Sequence, residues 1–262
     1  MARKARETSL TGIYHVMLRG INRQDIFLDS EDYWKFVKIL HQQVNPKDEL
    51  GSPLPSKCDI YSYCLMPNHV HLLIQEKPDG LAAVMRDIAS RFARYYNDKY
   101  EHFGHLFQDR YKSEPVNDVG YFLVLIRYIH QNPIAGGLCS DVDAYDWSSW
   151  REFTGDPRRM SSICAVDAVL KKFPLVELRE QVNTPLSKAL KVLEYDSRNG
   201  GVSDEEVRAF LSSNYGLKRV ADLTLYDKER RNDILKAAKV FGASIRQLSR
   251  LTSLGYSIVQ NA

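Results

Sequence analysis

Four cysteines in 262 residues, Cys58, Cys64, Cys139 and Cys164, stand too far apart to make a CxxC pair. That spacing excludes a cysteine zinc knuckle and gives no disulfide framework, so a reducing cytoplasm is the expected location. No stretch approaches the roughly 18 apolar residues of a membrane span, and no membrane partner is expected. The basic start, MARKARETSLTG, is not followed by the apolar run of a secretory signal, so export is not expected. No GxxxxGK[ST] loop is present, which removes the usual cradle for ATP phosphates.

Charge of one sign is also nearly absent in sum. The net charge of +3 says little by itself, but the excess lies at the two ends. Residues 1–23 carry five Arg/Lys against one Glu, and residues 218–262 carry nine against four Asp/Glu. This asymmetry suits a polyanionic partner, and equally a solvated charged face.

The hydrophobic pattern predicts alternating short strands and amphipathic helices. IYHVMLRG (13–20) reads as a strand. A helix capped near Ser30 follows, with Tyr33, Phe36, Val37, Leu40 and Val44 at steps of three and four before Pro46. CDIYSYCLM and HVHLLIQE read as adjacent antiparallel strands split by Pro67-Asn68. A long helix places Leu81, Val84, Ile88, Phe92 and Tyr95 on one stripe and Arg86, Ser90 and Arg94 on another face. A fourth strand in FQDRYKSEPV and a helix in DVGYFLVLIRYIHQ complete a βαββαβα order. The expected class is therefore α+β, a ferredoxin-like βαββαβ antiparallel sheet with helices on one face and one helix appended. That frame hosts many activities, so the fold alone selects none.

A catalytic domain is expected over 1–153, a linker over 154–162 and a helical accessory domain over 163–262. The last segment, 244–262, reads as a helix-turn-helix or as a plain helical hairpin.

Strand alternation puts His69 and His71 on one face and Val70, Leu72 and Ile74 on the other. The histidines, about 7 Å apart at Cα, then occupy the exposed face of the sheet, where both rings can turn to one ion. An HxH pair alone is a common accident, and a third ligand is needed. In RYIHQNP (127–133), Tyr128 and Asn132 are i and i+4 on one helix and project from the same side. Pro133 is expected to end that helix at Asn132.

Taken together, YHVMLRG with DIF, CLMPNHVHLL, GHLFQDRYKS, LIRYIHQNPIAGGL and YDWSSW, in that order between residues 13 and about 153, resemble the single-tyrosine transposases of the HUH superfamily, and among them the REP-associated tyrosine transposases. The resemblance implies that His69 and His71 are metal ligands, Asn132 the third ligand and Tyr128 the nucleophile. It implies single-stranded or hairpin DNA as substrate, a monomer or homodimer, and a cytoplasmic, nucleoid-associated protein. A ligand set of imidazoles and an amide oxygen without thiolate suits Mg²⁺ or Mn²⁺. Attack by Tyr128 would leave a 5′-phosphotyrosine and a free 3′-OH, conserving the bond energy for rejoining.

Arg19, Arg23, Arg86, Arg94, Arg110 and Lys112 are the expected phosphate contacts. Tyr61, Tyr63, Phe107 and Tyr111 are aromatic candidates for base stacking. His15, His41, His102, His105 and His130 are expected to be structural, His130 being the one nearest the chemistry. The chain departs from the family pattern at Ile21, inside the usual RGN, at Ala135, where an arginine is usual, and at Ser253, where the helix-turn-helix usually has glycine. Those departures keep a second function open, a hairpin-binding regulator without catalysis. A small-molecule hydrolase using the histidine pair is the least favoured, because an exposed basic sheet face offers no closed pocket.

Overall fold

The computed structural model describes residues 6–156, 162–186, 192, 202, 204–217, 220–243, 245–252 and 254–262. The chain divides into two compact units, Met1–Glu194 and Tyr195–Ala262.

The first unit is built on strands β1 (Ile13–Arg19), β2 (Cys58–Met66), β3 (His69–Glu76) and β4 (Lys112–Pro115). They form one antiparallel sheet in the order β2-β3-β1-β4, the strand order of the expected ferredoxin-like frame. Helix α1 (Ser30–Val44) joins β1 to β2, and α2 (Leu81–Tyr100) joins β3 to β4. Their apolar stripes close one face of the sheet. Phe36, Leu40, Ile88 and Phe92 pack there against Val16, Leu18, Val70, Leu72 and Ile74. Each such side chain stabilises the unit by about 1.5–3 kcal/mol on burial. On α2 the buried stripe runs through Tyr96 rather than Tyr95, while Arg86, Ser90 and Arg94 face solvent as expected.

The cap of α1 lies one residue before Ser30. Asp29 accepts from the Asp32 N–H, and the Asp32 carboxylate accepts from the Asp29 and Leu28 N–H groups. This reciprocal capping box satisfies donors that Ser30, already inside the helix, does not.

The second face of the sheet is not open. Helix α3 (Val119–Ala135) lies across it, and Phe122, Leu125, Ile126 and Ile129 pack on Cys64, Met66 and Leu73. The expectation of helices on one face only is therefore corrected. The appended helix is apolar enough to need a partner surface, and the histidine face supplies it.

Helix α3 also runs three residues past Asn132. Pro133 removes one N–H and so one intrahelical bond, but it is buried in the last turn. The carbonyls around it are satisfied from downstream: Gly136 N–H reaches Asn132 O, Leu138 N–H reaches Pro133 O and Gly137 N–H reaches Ile134 O. One missing bond does not outweigh the packing of the turn.

The outer edge of β2 is covered by later chain. Leu65 N–H donates to Trp147 O, Ser149 N–H to Tyr63 O and Ala165 N–H to Ile60 O. Glu152, at the heart of α4 (Trp150–Thr154), accepts from the Ile163 and Cys164 N–H groups. Helices α5 (Val166–Leu170) and α6 (Leu175–Asn183) then add Val169, Leu178 and Val182 to the core under α3. Residues 163–183, the start of the segment that the sequence pattern assigned to the accessory domain, thus pack within the first unit, where they cover an otherwise unpaired sheet edge. The expected linker falls mainly on 157–161, outside the described residues.

The second unit contains α7 (Asp204–Tyr215), α8 (Lys228–Phe241), α9 (Ile245–Thr252) and α10 (Tyr256–Asn261). Val207, Leu211, Ile234, Leu235, Leu248 and Val259 form its core. The helix and short turn expected over 244–262 correspond to α9 and α10, while Ser253 lies outside the described residues. No described helix is long and apolar enough to cross a membrane.

Candidate active site on the face under α3

The register of the sheet decides which side chains meet. His69 pairs with Arg19, His71 with Met17 and Leu73 with His15. Met17 pairs in turn with Lys112, and His15 with Glu114. On the other side His71 pairs with Cys64 and His69 with Met66. Directly paired residues share a face, so His15, Arg19, His69, His71, Lys112 and Glu114 all lie on the side that α3 covers.

His71 is buried to 1% exposure, whereas His69 is partly open. The two rings stand at 85°, with centroids 4.9 Å apart. The Tyr128 ring meets His71 edge-on at 5.4 Å and 89°, and lies 5.9 Å from the His15 ring. Tyr128 thus leaves the apolar stripe of α3 at the point where the stripe crosses the histidines. One turn later the Asn132 Nδ2 donates to the Tyr128 carbonyl at 2.8 Å. With its N–H committed to a carbonyl, Asn132 retains Oδ1 as a lone-pair atom. His71 therefore meets Tyr128 across the contact between sheet and helix, with His69 beside His71 and Asn132 one turn further along α3.

Two second contacts bear on the histidine tautomers. His69 Nδ1 lies 2.6 Å from Asn68 Oδ1, an acceptor that places the proton on Nδ1 and leaves the Nε2 lone pair. His71 Nδ1 lies 3.0 Å from Nε2 of His15, and the two rings stack at 16°. Burial lowers the His69 pKa to about 4, with the Arg19 guanidinium adding to the effect. Burial holds His71 well below the ordinary histidine value, helped by His69, His15 and Arg19. Both rings are consequently neutral near pH 7, as a metal ligand must be. Cys64 pairs with His71 across the sheet, and burial raises its thiol pKa well above the ordinary range.

Among the described residues no group of three His, Cys, Asp or Glu side chains could hold a metal ion. A cation at this corner would rest on two imidazoles, with Asn132 Oδ1 and non-protein oxygens completing the shell. The residues fit such a group: two neutral rings with paired Nδ1 atoms and an amide oxygen one helix turn from Tyr128.

The expected phosphate contacts separate into two sets. Arg19 and Lys112 lie on the site face. Arg23 adjoins it, its carbonyl accepting from Asn68 Nδ2. Arg86 and Arg110 instead line a groove between α2 and the loop before β4, together with Arg6, Phe107 and Tyr111. Arg94 is exposed on α2. Of the aromatic candidates, Tyr63 is core, and Tyr61 packs on Phe122 with its hydroxyl on Gln75. Phe107 and Tyr111 line the groove that holds Arg86 and Arg110, while Tyr61 borders a separate cavity beside Phe122.

His130 is structural. It is buried on another side of α3, with Nδ1 against Ile126 O and Nε2 2.9 Å from Ser149 Oγ. His15, in contrast, belongs to the site and was not expected there. The alternation of Ile13, His15, Met17 and Arg19 was legible, and so was β1 beside β3 in the expected frame; the register that sets the His15 ring against His71 was not.

With this geometry established, residues 8–132 match the family model described as IS200-like transposase. That stretch of the first unit is therefore similar to IS200-like transposases. The fold is also similar to a solved structure of a REP-associated tyrosine transposase bound to a REP hairpin, at 15% identity and a TM-score of 0.48, covering 74% of this chain and 100% of that one. No curated protein matches the chain.

Proposed function

We propose that the protein is a DNA endonuclease and strand transferase that cleaves single-stranded or hairpin DNA through Tyr128. The observation that carries this reading is the meeting of Tyr128 with His71 under α3, with His69 beside His71 and Asn132 bonded to the Tyr128 carbonyl. The match of residues 8–132 to the IS200-like transposase model supports transposase chemistry.

In the proposed reaction the Tyr128 Oη forms a bond to the scissile phosphorus, and the bond from phosphorus to the 3′ oxygen breaks. The phenol proton is given up and a proton is taken by the departing 3′ oxygen, so charge and atoms balance. The product is a 5′-phosphotyrosine and a 3′-OH, and the reverse step on a second 3′-OH rejoins DNA without ATP. His69, His71 and Asn132 would hold a divalent cation such as Mg²⁺ or Mn²⁺, whose contribution when bound is to polarise the phosphate and offset its charge. Arg19 and Lys112 place two further cations on the same face for phosphate oxygens.

The test is incubation with labelled hairpin DNA and Mn²⁺, followed by a denaturing gel. A covalent adduct is expected with the wild type and none with Tyr128→Phe. An adduct that survives the substitution would remove Tyr128 as the nucleophile. Tight hairpin binding with no cleavage under any divalent ion would support instead a binding-only regulator, the reading favoured by Ala135 in place of a basic residue.

A further inference from the structure

We infer that His15 and Glu114 are positioning residues that set the tautomer of His71 and so present its Nε2 to a metal ion. The inference rests on the reading of His71 as a ligand.

The three groups form a line across one face of the sheet, and Tyr121 ties its Glu114 end to α3. Glu114 Oε2 accepts from the Tyr121 hydroxyl at 2.7 Å and lies 3.9 Å from Nδ1 of His15. His15 Nε2 lies 3.0 Å from His71 Nδ1. His15 is wholly buried and His71 nearly so, which favours one proton on each ring rather than two.

One proton per ring permits two arrangements. Either His15 Nε2–H donates to His71 Nδ1, or His71 Nδ1–H donates to His15 Nε2. The first turns the Nδ1 lone pair of His15 toward the Glu114 carboxylate, and the second turns the Nδ1–H toward it. A carboxylate favours the proton, so the second arrangement prevails. The 3.9 Å separation is beyond a hydrogen bond, but the sign of the interaction decides between tautomers without one. His71 then carries its proton on Nδ1, and its Nε2 lone pair is the metal-facing atom. His69 reaches the same state by a separate route, through Asn68 Oδ1.

The sequence pattern offered His15 only as a structural histidine. Its buried Nδ1 has no hydrogen-bond partner at normal distance, an unusual arrangement for a residue kept only for packing.

Long-range ¹H–¹⁵N spectra of the metal-free wild type read the tautomer directly. A protonated Nδ1 and bare Nε2 at His71 are expected, and a protonated Nε2 would overturn the inference without any variant. Calorimetric titration with Mn²⁺ gives the second readout. His15→Phe keeps the stacked ring but removes the acceptor, and should weaken Mn²⁺ binding by about 10- to 100-fold. His15→Gln returns an acceptor and an N–H, and should restore most of that affinity. Glu114→Leu should mix the tautomers of both rings. Unchanged Mn²⁺ affinity in folded His15→Phe would overturn the inference, and should that variant not fold, the wild-type spectrum and His15→Gln still decide. Absence of Mn²⁺ binding by the wild type would sink the metal reading, and the metal-free spectrum decides the tautomer in that case too.

Discussion

Asn132 donates its side-chain amide to the carbonyl of Tyr128, so the proposed third ligand is tied to the backbone of the proposed nucleophile by a 2.8 Å bond one helix turn long. The bond fixes which atom of the amide is left for a cation. Asn132→Asp keeps an oxygen for the ion but sets a carboxylate against a carbonyl. We expect it to retain Mn²⁺ binding in calorimetry and to lose about 1 kcal/mol of stability in urea. Asn132→Leu should lose the Mn²⁺ binding. Equal affinity in Asn132→Leu and wild type would show that Asn132 is not a ligand.

Gly20 ends β1 where the chain turns back on itself. A Cβ there would lie 2.2 Å from the Gln24 carbonyl oxygen and 2.9 Å from Ile26 Cγ2. The turn also holds Asn22 and Arg23 at φ of 53° and 61°, consecutive left-handed residues next to the site. Gly20→Ala should cost on the order of 1–3 kcal/mol and reduce cleavage through displacement of Arg19 and Arg23. Urea unfolding is the measurement, and a midpoint equal to wild type would mean the turn yields freely.

Acid should unfold the first unit. Burial lowers the His130 pKa to about 4, against 6.5 in an open chain, and His69 is lowered to the same value. Between these limits the unfolded chain binds more protons than the folded one. Stability therefore rises with pH from about 4 to 6.5, is flat above, and is lost as pH falls through that window. His130 alone contributes on the order of 3 kcal/mol. Urea midpoints at pH 7 and pH 5 should differ clearly, and coincident midpoints would refute the buried neutral state.

Arg86 and Arg110 border one groove on the α2 side, away from the histidine face. If single-stranded DNA follows that groove, replacing both with alanine should weaken binding uniformly across sequences. The slope of log K against log salt should fall in magnitude by about 2. Fluorescence anisotropy over a salt series measures it. An unchanged slope would place the DNA elsewhere.

The order of strands and helices, the face shared by His69 and His71, and the alignment of Tyr128 with Asn132 are local matters. A period of two or 3.6 residues sets them, so they are readable from neighbouring residues alone. What covers a sheet face or a sheet edge depends on residues far along the chain. The pattern at 119–135 shows an apolar helix but not the surface it seeks, and only packing shows that it buries the histidines. The reach of 163–165 to the β2 edge is likewise invisible in sequence, because Ala165 meets Ile60 through backbone groups that every residue possesses. His15 is the sharpest case. Its alternation with Met17 and Arg19 was written in the sequence, but its contact with His71 exists only because β1 is hydrogen-bonded beside β3, a pairing set by the crossing of α1 and α2 over the opposite face.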